Sequence, residues 1–110
     1  MPWLVEFHNK LAEELARLPR AVRVALAAHA KLLEDQGPAL GRPAVDTLKG
    51  SRIKNLKELR FDADGGVWRV AFAFDDRRVA ILLVAGDKKG QDEKRFYRRL
   101  ISEAERRWKE

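Results

Sequence analysis

Gly65-Gly66-Val67-Trp68-Arg69-Val70-Ala71-Phe72-Ala73-Phe74 opens on a glycine pair and then alternates large and small residues. Such alternation marks a β-strand, whose successive side chains leave opposite faces. Trp68, Val70, Phe72 and Phe74 share a large apolar face that should meet a layer of helices. Arg69, Ala71 and Ala73 point the other way, and Arg69 is the only charge inside the run. Two readings compete: a core strand with a surface arginine, or a core strand that holds an arginine in a working site.

The flanking segments extend the sheet. Leu56-Lys57-Glu58-Leu59-Arg60-Phe61 reads as the preceding strand, and Asp62-Ala63-Asp64-Gly65-Gly66 as the turn between them, since glycines allow positive φ. Asp75-Asp76-Arg77 is a second turn, and the near-continuous apolar run Arg78 to Ala85 suits a strand inside the sheet. Leu59 and Phe61 go inward with the aromatics, whereas Glu58 and Arg60 go outward with Arg69. The second face is therefore expected to be polar, basic and concave, with Ala71 and Ala73 leaving a shallow trough beside the arginines. A guanidinium forks onto phosphate oxygens, so such a face suits a phosphate backbone. The plain alternative is a Glu58–Arg69 or Glu58–Arg60 ion pair on a solvated face.

Upstream, Trp3 to His8 alternates as a short first strand, with Trp3, Val5 and Phe7 on one face. Asn9 can cap a helix carrying Leu11, Leu15 and Leu18. A second helix is predicted from Pro19 to Gln36, with Val22, Leu26, His29 and Leu33 as its stripe, flanked by Ala25 and Leu32. His29 on that stripe is read as a packed, hydrogen-bonded histidine rather than a catalytic one. Gly37-Pro38 stops the helix, and Gly37 to Asn55 shows no periodicity and reads as a long loop. Its end carries Lys49, Arg52 and Lys54, either a solvated stretch or a phosphate-contacting one.

Downstream, Gly86-Asp87-Lys88-Lys89-Gly90 brackets a lysine pair at a strand end. A final helix from Gln91 to Trp108 places Tyr97, Ile101, Ala104 and Trp108 on one stripe, with Phe96 and Leu100 beside it. Arg95, Arg98, Arg99, Arg106 and Arg107 are expected on its other face. Arg69, Lys88, Lys89 and Tyr97 could converge at one end of the trough, although Tyr97 is equally a core candidate. The predicted order β-α-α-β-β-β-α is an α+β domain with a mainly antiparallel sheet and two helices packed on one face.

The chain of 110 residues is expected to form one domain, 1–110. Residues 1–47 balance six Lys/Arg with six Asp/Glu, so the net +6 lies in the half that holds the glycine-tryptophan strand. A basic region favours polyanions, and it also serves solubility. No cysteine is present, which excludes disulfides and thiolate metal sites and fits a reducing cytosol. The histidines do not cluster, and there is no P-loop, Ser/His/Asp set or paired-carboxylate motif, so neither a metal nor a cofactor is expected. Glu6 interrupts the N-terminus, so no signal peptide is read there, and the apolar run from Val79 to Gly86 is too short for a membrane helix.

Taken together, Trp3–His8, Gly37-Pro38-Ala39-Leu40-Gly41-Arg42-Pro43, Leu48-Lys49-Gly50, Leu56–Arg60, Gly66–Phe74, Ala80-Ile81-Leu82-Leu83 and Gly86–Gly90 resemble the phage-derived HigB-like branch of the RelE/ParE toxin superfamily. The resemblance covers nearly the whole chain in order. It implies a RelE-like fold and a toxin of a type II toxin–antitoxin pair in the cytoplasm. Its activity would be mRNA cleavage, usually at the ribosome, and its partner a helix-turn-helix, HigA-like antitoxin. It implies a phosphate-binding role for Arg69, charge stabilisation by Lys88 or Lys89, and a contribution from Tyr97. Lys49, Arg52, Lys54, Lys57 and Arg60 are the RNA-binding candidates. Glu58 stands where the family carries a basic residue, and the catalytic histidines of some HigB enzymes have no counterpart, which leaves the general base unassigned. That departure motivates the alternative of a ParE-like, non-enzymatic toxin acting on DNA gyrase.

Overall fold

A computed structural model describes residues 2–110; Met1 of the expected domain lies outside the described residues. Five strands, β1 (Leu4–Phe7), β2 (Val45–Thr47), β3 (Lys57–Ala63), β4 (Gly66–Phe74) and β5 (Val79–Asp87), form one sheet in the order β1-β5-β4-β3-β2. The β1–β5 pair is parallel, and the β5–β4, β4–β3 and β3–β2 pairs are antiparallel. Helices α1 (Asn9–Leu15) and α2 (Arg20–Gln36) follow β1, and α3 (Glu93–Trp108) follows β5.

The β3–β4 hairpin is the tight turn the glycine pair announced. Asp64 and Gly65 both have positive φ, 52° and 74°, and Ala63 pairs with Gly66. Two left-handed residues match the twist of the flanking strands. The aromatic face of β4 lies where the alternation put it: Val70 and Phe72 pack with Leu59 and Phe61 of β3 and with Leu11, Val22, Leu26 and Leu33 of α1 and α2. His29 Nδ1 donates to Ala25 O (2.8 Å) and the ring lies against Phe61, as a packed histidine should.

Several boundaries differ from the sequence reading. His8, not Asn9, caps α1, its Nδ1 accepting from the Lys10 amide at 3.1 Å. Leu32, expected to flank the α2 stripe, is solvent-exposed. The expected loop from Gly37 to Asn55 contains a 3₁₀ turn, Gly37–Ala39, and the edge strand β2. Three residues are too few to show a period, but Val45 is buried and Asp46 pairs across to Glu58.

The largest correction concerns the second face of the sheet. It is not an open trough, because α3 covers it. Ala71 and Ala73, both 0% exposed, pack in a second core with Leu83, Val84, Phe96, Leu100 and Ala104. The small residues admit a helix close to the backbone instead of leaving a groove. A bulge, in which Ala71 pairs with Val84 but Phe72 with Leu82, turns both Leu83 and Val84 toward that helix. Gly86 does the same further along, since a Cβ there would come within 2.9 Å of Phe96 Cε1.

Arg107, expected among the exposed arginines of α3, is 5% exposed. Its guanidinium donates to Glu14 (2.6 and 2.9 Å), to Glu103 (2.8 Å) and to the backbone carbonyl of Leu83 (2.7 Å). These bonds fasten the end of α3 to α1 and to the bulge. Replacing Arg107 by Met keeps the apolar stem but takes the partner from the Leu83 carbonyl and from Glu14, while Glu103 keeps Arg106. A loss of roughly 2–4 kcal/mol in urea unfolding is expected; an unchanged midpoint would show that the latch contributes nothing.

Candidate functional site

Covering the alanine face confines the arginines to one end of the sheet, beyond the first turns of α3. Arg60 and Arg69 are direct cross-strand partners there, and Arg69 stands opposite Gly86 on β5. Arg69 is 7% exposed. Its Nη1 donates to Trp68 O at 2.9 Å, and its Nε donates to the Tyr97 hydroxyl at 3.3 Å. The same Nε is 3.8 Å from Glu58 Oε1, too long for a hydrogen bond but close enough for strong attraction.

Glu58 is the residue that sequence reasoning had set aside as a misfit. It is 4% exposed, and its Oε1 has no hydrogen-bond partner among the described residues. Burial pushes its carboxyl above the ordinary 4.5, against the pull of the Tyr97 hydroxyl and of Arg69 and Arg60. Burial likewise raises the Tyr97 phenol, helped by Glu58 and opposed by Arg69. A buried carboxylate with a spare lone pair beside a fixed guanidinium is suited to accepting a proton. The sequence did hold a signal: an acid on the arginine face at β3, two residues before Arg60.

Glu58 and Tyr97 line a cleft with Asp46, Lys49, Arg60, Lys88 and Glu93, whereas Arg69 lines a neighbouring depression with Arg42, Pro43 and Phe61, and Arg60 borders both. Lys88 Nζ donates to Glu93 Oε1 at 2.9 Å and lies 5.6 Å from the Tyr97 ring centroid. That ion pair holds the Glu93 carboxyl below its usual range, and the pair is partly exposed, so an incoming anion can take the lysine over. Arg60 reaches Asp46 Oδ2 at 3.4 Å and Glu58 Oε2 at 4.0 Å. Arg60 and Lys88 are thus held in place by carboxylates before any ligand arrives.

The structure brings Arg69, Lys88, Tyr97, Lys49 and Arg60 together. It does not bring Lys89, whose Nζ lies 4.0 Å from where a Cβ on Gly65 would sit, at the hairpin tip. Lys54 and Lys57 line a separate depression with Phe74, Asp75 and Trp108, at the other end of the sheet. Arg52 belongs to a loop tied to α3, where Glu105 accepts from Ser51 Oγ (2.9 Å) and from the Arg52 amide (2.7 Å). Among the described residues no group of three or more His, Asp or Glu could hold a metal ion, and no helix is long and apolar enough to cross a membrane.

Residues 13–109 match the family model described as phage-derived protein Gp49-like (DUF891). A toxin candidate of Mycobacterium tuberculosis, HigB2, is 55% identical over 62 residues, 56% of this chain and 31% of that protein. A second candidate from the same organism, HigB3, is 50% identical over 76 residues, 69% of this chain and 64% of that protein. The chain therefore spans about a third and somewhat under two thirds of the lengths of these curated relatives. Two solved structures share the fold. One, a mutant Escherichia coli toxin RelE in the free state, has a TM-score of 0.66 at 17% identity, covering 97% of this chain and 98% of that one. The other, the archaeal RelE–RelB complex of Pyrococcus horikoshii, gives 0.60 at 22% identity, covering 82% and 99%. The expected RelE-like fold is thus observed.

The raised carboxyl of Glu58 has a consequence for stability. Folding favours its neutral form, so ionising it as pH rises above 4.5 costs stability. The stability of Glu58→Gln minus that of the unsubstituted chain should grow as pH rises from the ordinary glutamate range to the raised pKa, then level off. Urea unfolding across pH measures this, and a difference that shrinks with rising pH would contradict the burial of a charged Glu58.

Proposed function

Because the chain belongs to the phage-derived Gp49-like family and carries a RelE-like fold, we propose that it is the toxin of a type II toxin–antitoxin pair and an mRNA endoribonuclease. The observation that carries this reading is the cluster of Arg69, Glu58 and Tyr97, a fixed guanidinium beside a buried carboxyl, with Lys49, Arg60 and Lys88 lining the cleft that Glu58 and Tyr97 face. The names of the similar mycobacterial proteins as toxin candidates support it.

In the proposed reaction the RNA supplies its own nucleophile. The ribose 2′-oxygen attacks the adjacent phosphorus while the Glu58 carboxylate takes its proton. The O2′–P bond forms, the P–O5′ bond breaks, and the leaving 5′-oxygen receives a proton from the Lys88 ammonium. Arg69 binds the equatorial oxygens, whose charge is greatest in the transition state. Its bonds to Trp68 O and Tyr97 fix it beforehand, so little reorganisation is needed when that charge develops. Tyr97 orients Arg69 and offers its ring to a neighbouring base. Lys49 and Arg60 hold flanking phosphates.

The partner is proposed to be a helix-turn-helix, HigA-like antitoxin, and the site of action translating mRNA on the ribosome, in the cytoplasm. The alternative of a ParE-like protein that poisons DNA gyrase rests on the missing catalytic histidines and on Glu58 as a misfit; the second motive weakens with Glu58 buried 3.8 Å from Arg69.

Controlled expression with mapping of mRNA 5′ ends should show new ends during growth arrest; arrest with intact transcripts and trapped gyrase–DNA complexes would favour the alternative. Arg69→Ala should lower the cleavage rate on the order of 10²–10³-fold. Rate should rise with pH along a limb set by the raised Glu58 carboxyl, and Glu58→Gln should lose that limb. A Glu58→Gln enzyme with an unshifted profile would remove Glu58 from the mechanism.

A further inference from the structure

We propose that the outer face of α3, built from Lys94, Arg95, Arg98 and Arg99, is a track for single-stranded RNA that continues from the cleft. The proposal rests on the RNA-cleaving reading of that cleft and extends the substrate contact beyond it.

All four side chains are exposed. Lys94 and Arg98 are four residues apart, as are Arg95 and Arg99, so each pair sits on adjacent turns of one helix face. Like charges at that spacing destabilise a helix. Among the described residues, none of the four has a carboxylate within 4.0 Å, whereas Arg60, Arg69, Lys88, Arg106 and Arg107 all do. The fold gains nothing from this uncompensated cluster, and a polyanion would relieve it.

Its position ties it to the cleft. Glu93 and Tyr97, on the first turns of α3, wall the cleft. On the opposite flank of those turns runs a groove lined by Gly86, Gln91, Phe96, Arg98, Arg99 and Ser102. The short segment from Lys88 in the cleft to Gln91 in the groove joins the two, with Lys89 between them. A strand passing Lys88 can therefore round this segment, past the Lys89 backbone, and meet Arg98 and Arg99 in the groove, with Glu103 at its far end paired to Arg106.

The chemistry of the face selects RNA over a protein. Protein docking surfaces carry an apolar centre. Among the described residues the exposed large hydrophobic ones are Leu4, Val24 and Leu32, on β1 and α2, and none lies on α3. Guanidinium and ammonium groups alone suffice for phosphates.

The test combines Arg95→Gln, Arg98→Gln and Arg99→Gln in one variant. Binding of 2′-O-methyl RNAs of about six and about twenty nucleotides, below and above the upper site sizes of simple single-strand binders, is followed by fluorescence anisotropy at several salt concentrations. Expected are at least tenfold weaker binding of the long RNA, little change for the short one, and a log K against log salt slope smaller by about 2, from about 0.7 per lost phosphate contact. The variant should also melt at a temperature no lower than the unsubstituted chain, since repulsion is removed. Unchanged affinity for the long RNA, or equal losses on both lengths, would overturn the proposal. So would a larger loss for poly-L-glutamate than for RNA, which would assign the face to an acidic protein. An unsubstituted chain that binds the long RNA but never cleaves its unmodified copy contradicts the cleavage reading alone; the variant's selective binding loss would still support the track.

Discussion

The packing of α3 on Ala71 and Ala73 determines what the rest of the molecule can do. It buries the second face of the sheet with Phe96, Leu100 and Ala104, and it requires the close approaches that two alanines and Gly86 permit. It also brings Tyr97 to Arg69 and leaves Arg69 and Glu58 nearly inaccessible to water. Without the helix, both would be charges on a solvated sheet, where an ion pair contributes little. Beneath it, the same two groups are fixed, partly desolvated and coupled to a phenol.

The helix is held at both ends by different means. Near its start Asp92 caps the first turn by accepting from the Arg95 amide at 2.9 Å. At its other end Arg107 fastens it to Glu14 and to Leu83 O. Between them, Glu105 accepts from the Ser51–Arg52 loop. These contacts cross from α3 to three other parts of the chain, so the geometry of the cleft depends on the whole fold rather than on the β4 strand that carries Arg69.

Much of this architecture was legible in the sequence because it is periodic. The alternation of β4 identified which face meets α1 and α2, and the glycine pair located the hairpin. The parts that were not legible depend on contacts distant in sequence. Ala71 and Ala73 could equally line a groove or receive a helix, and only the partner decides. Arg107 looked like one more surface arginine of α3, since its acceptors lie on α1 and at a bulge in β5. Strand β2 is too short to show a period. The candidates Arg69, Lys88 and Tyr97, named from the strand pattern and the family resemblance, lie close together in the fold. The burial of Glu58 beside Arg69 was not legible, because it depends on α3 covering that face.

The central claim is that this cleft cleaves RNA through attack by the neighbouring 2′-oxygen. Mass spectrometry of the products from a defined RNA, incubated with the purified chain and with Arg69→Ala in parallel, tests it most directly. A 2′,3′-cyclic phosphate on one fragment and a 5′-hydroxyl on the other, both absent with the variant, is the expected result. Products ending in a 5′-phosphate, or cleavage that survives the loss of Arg69, would contradict it.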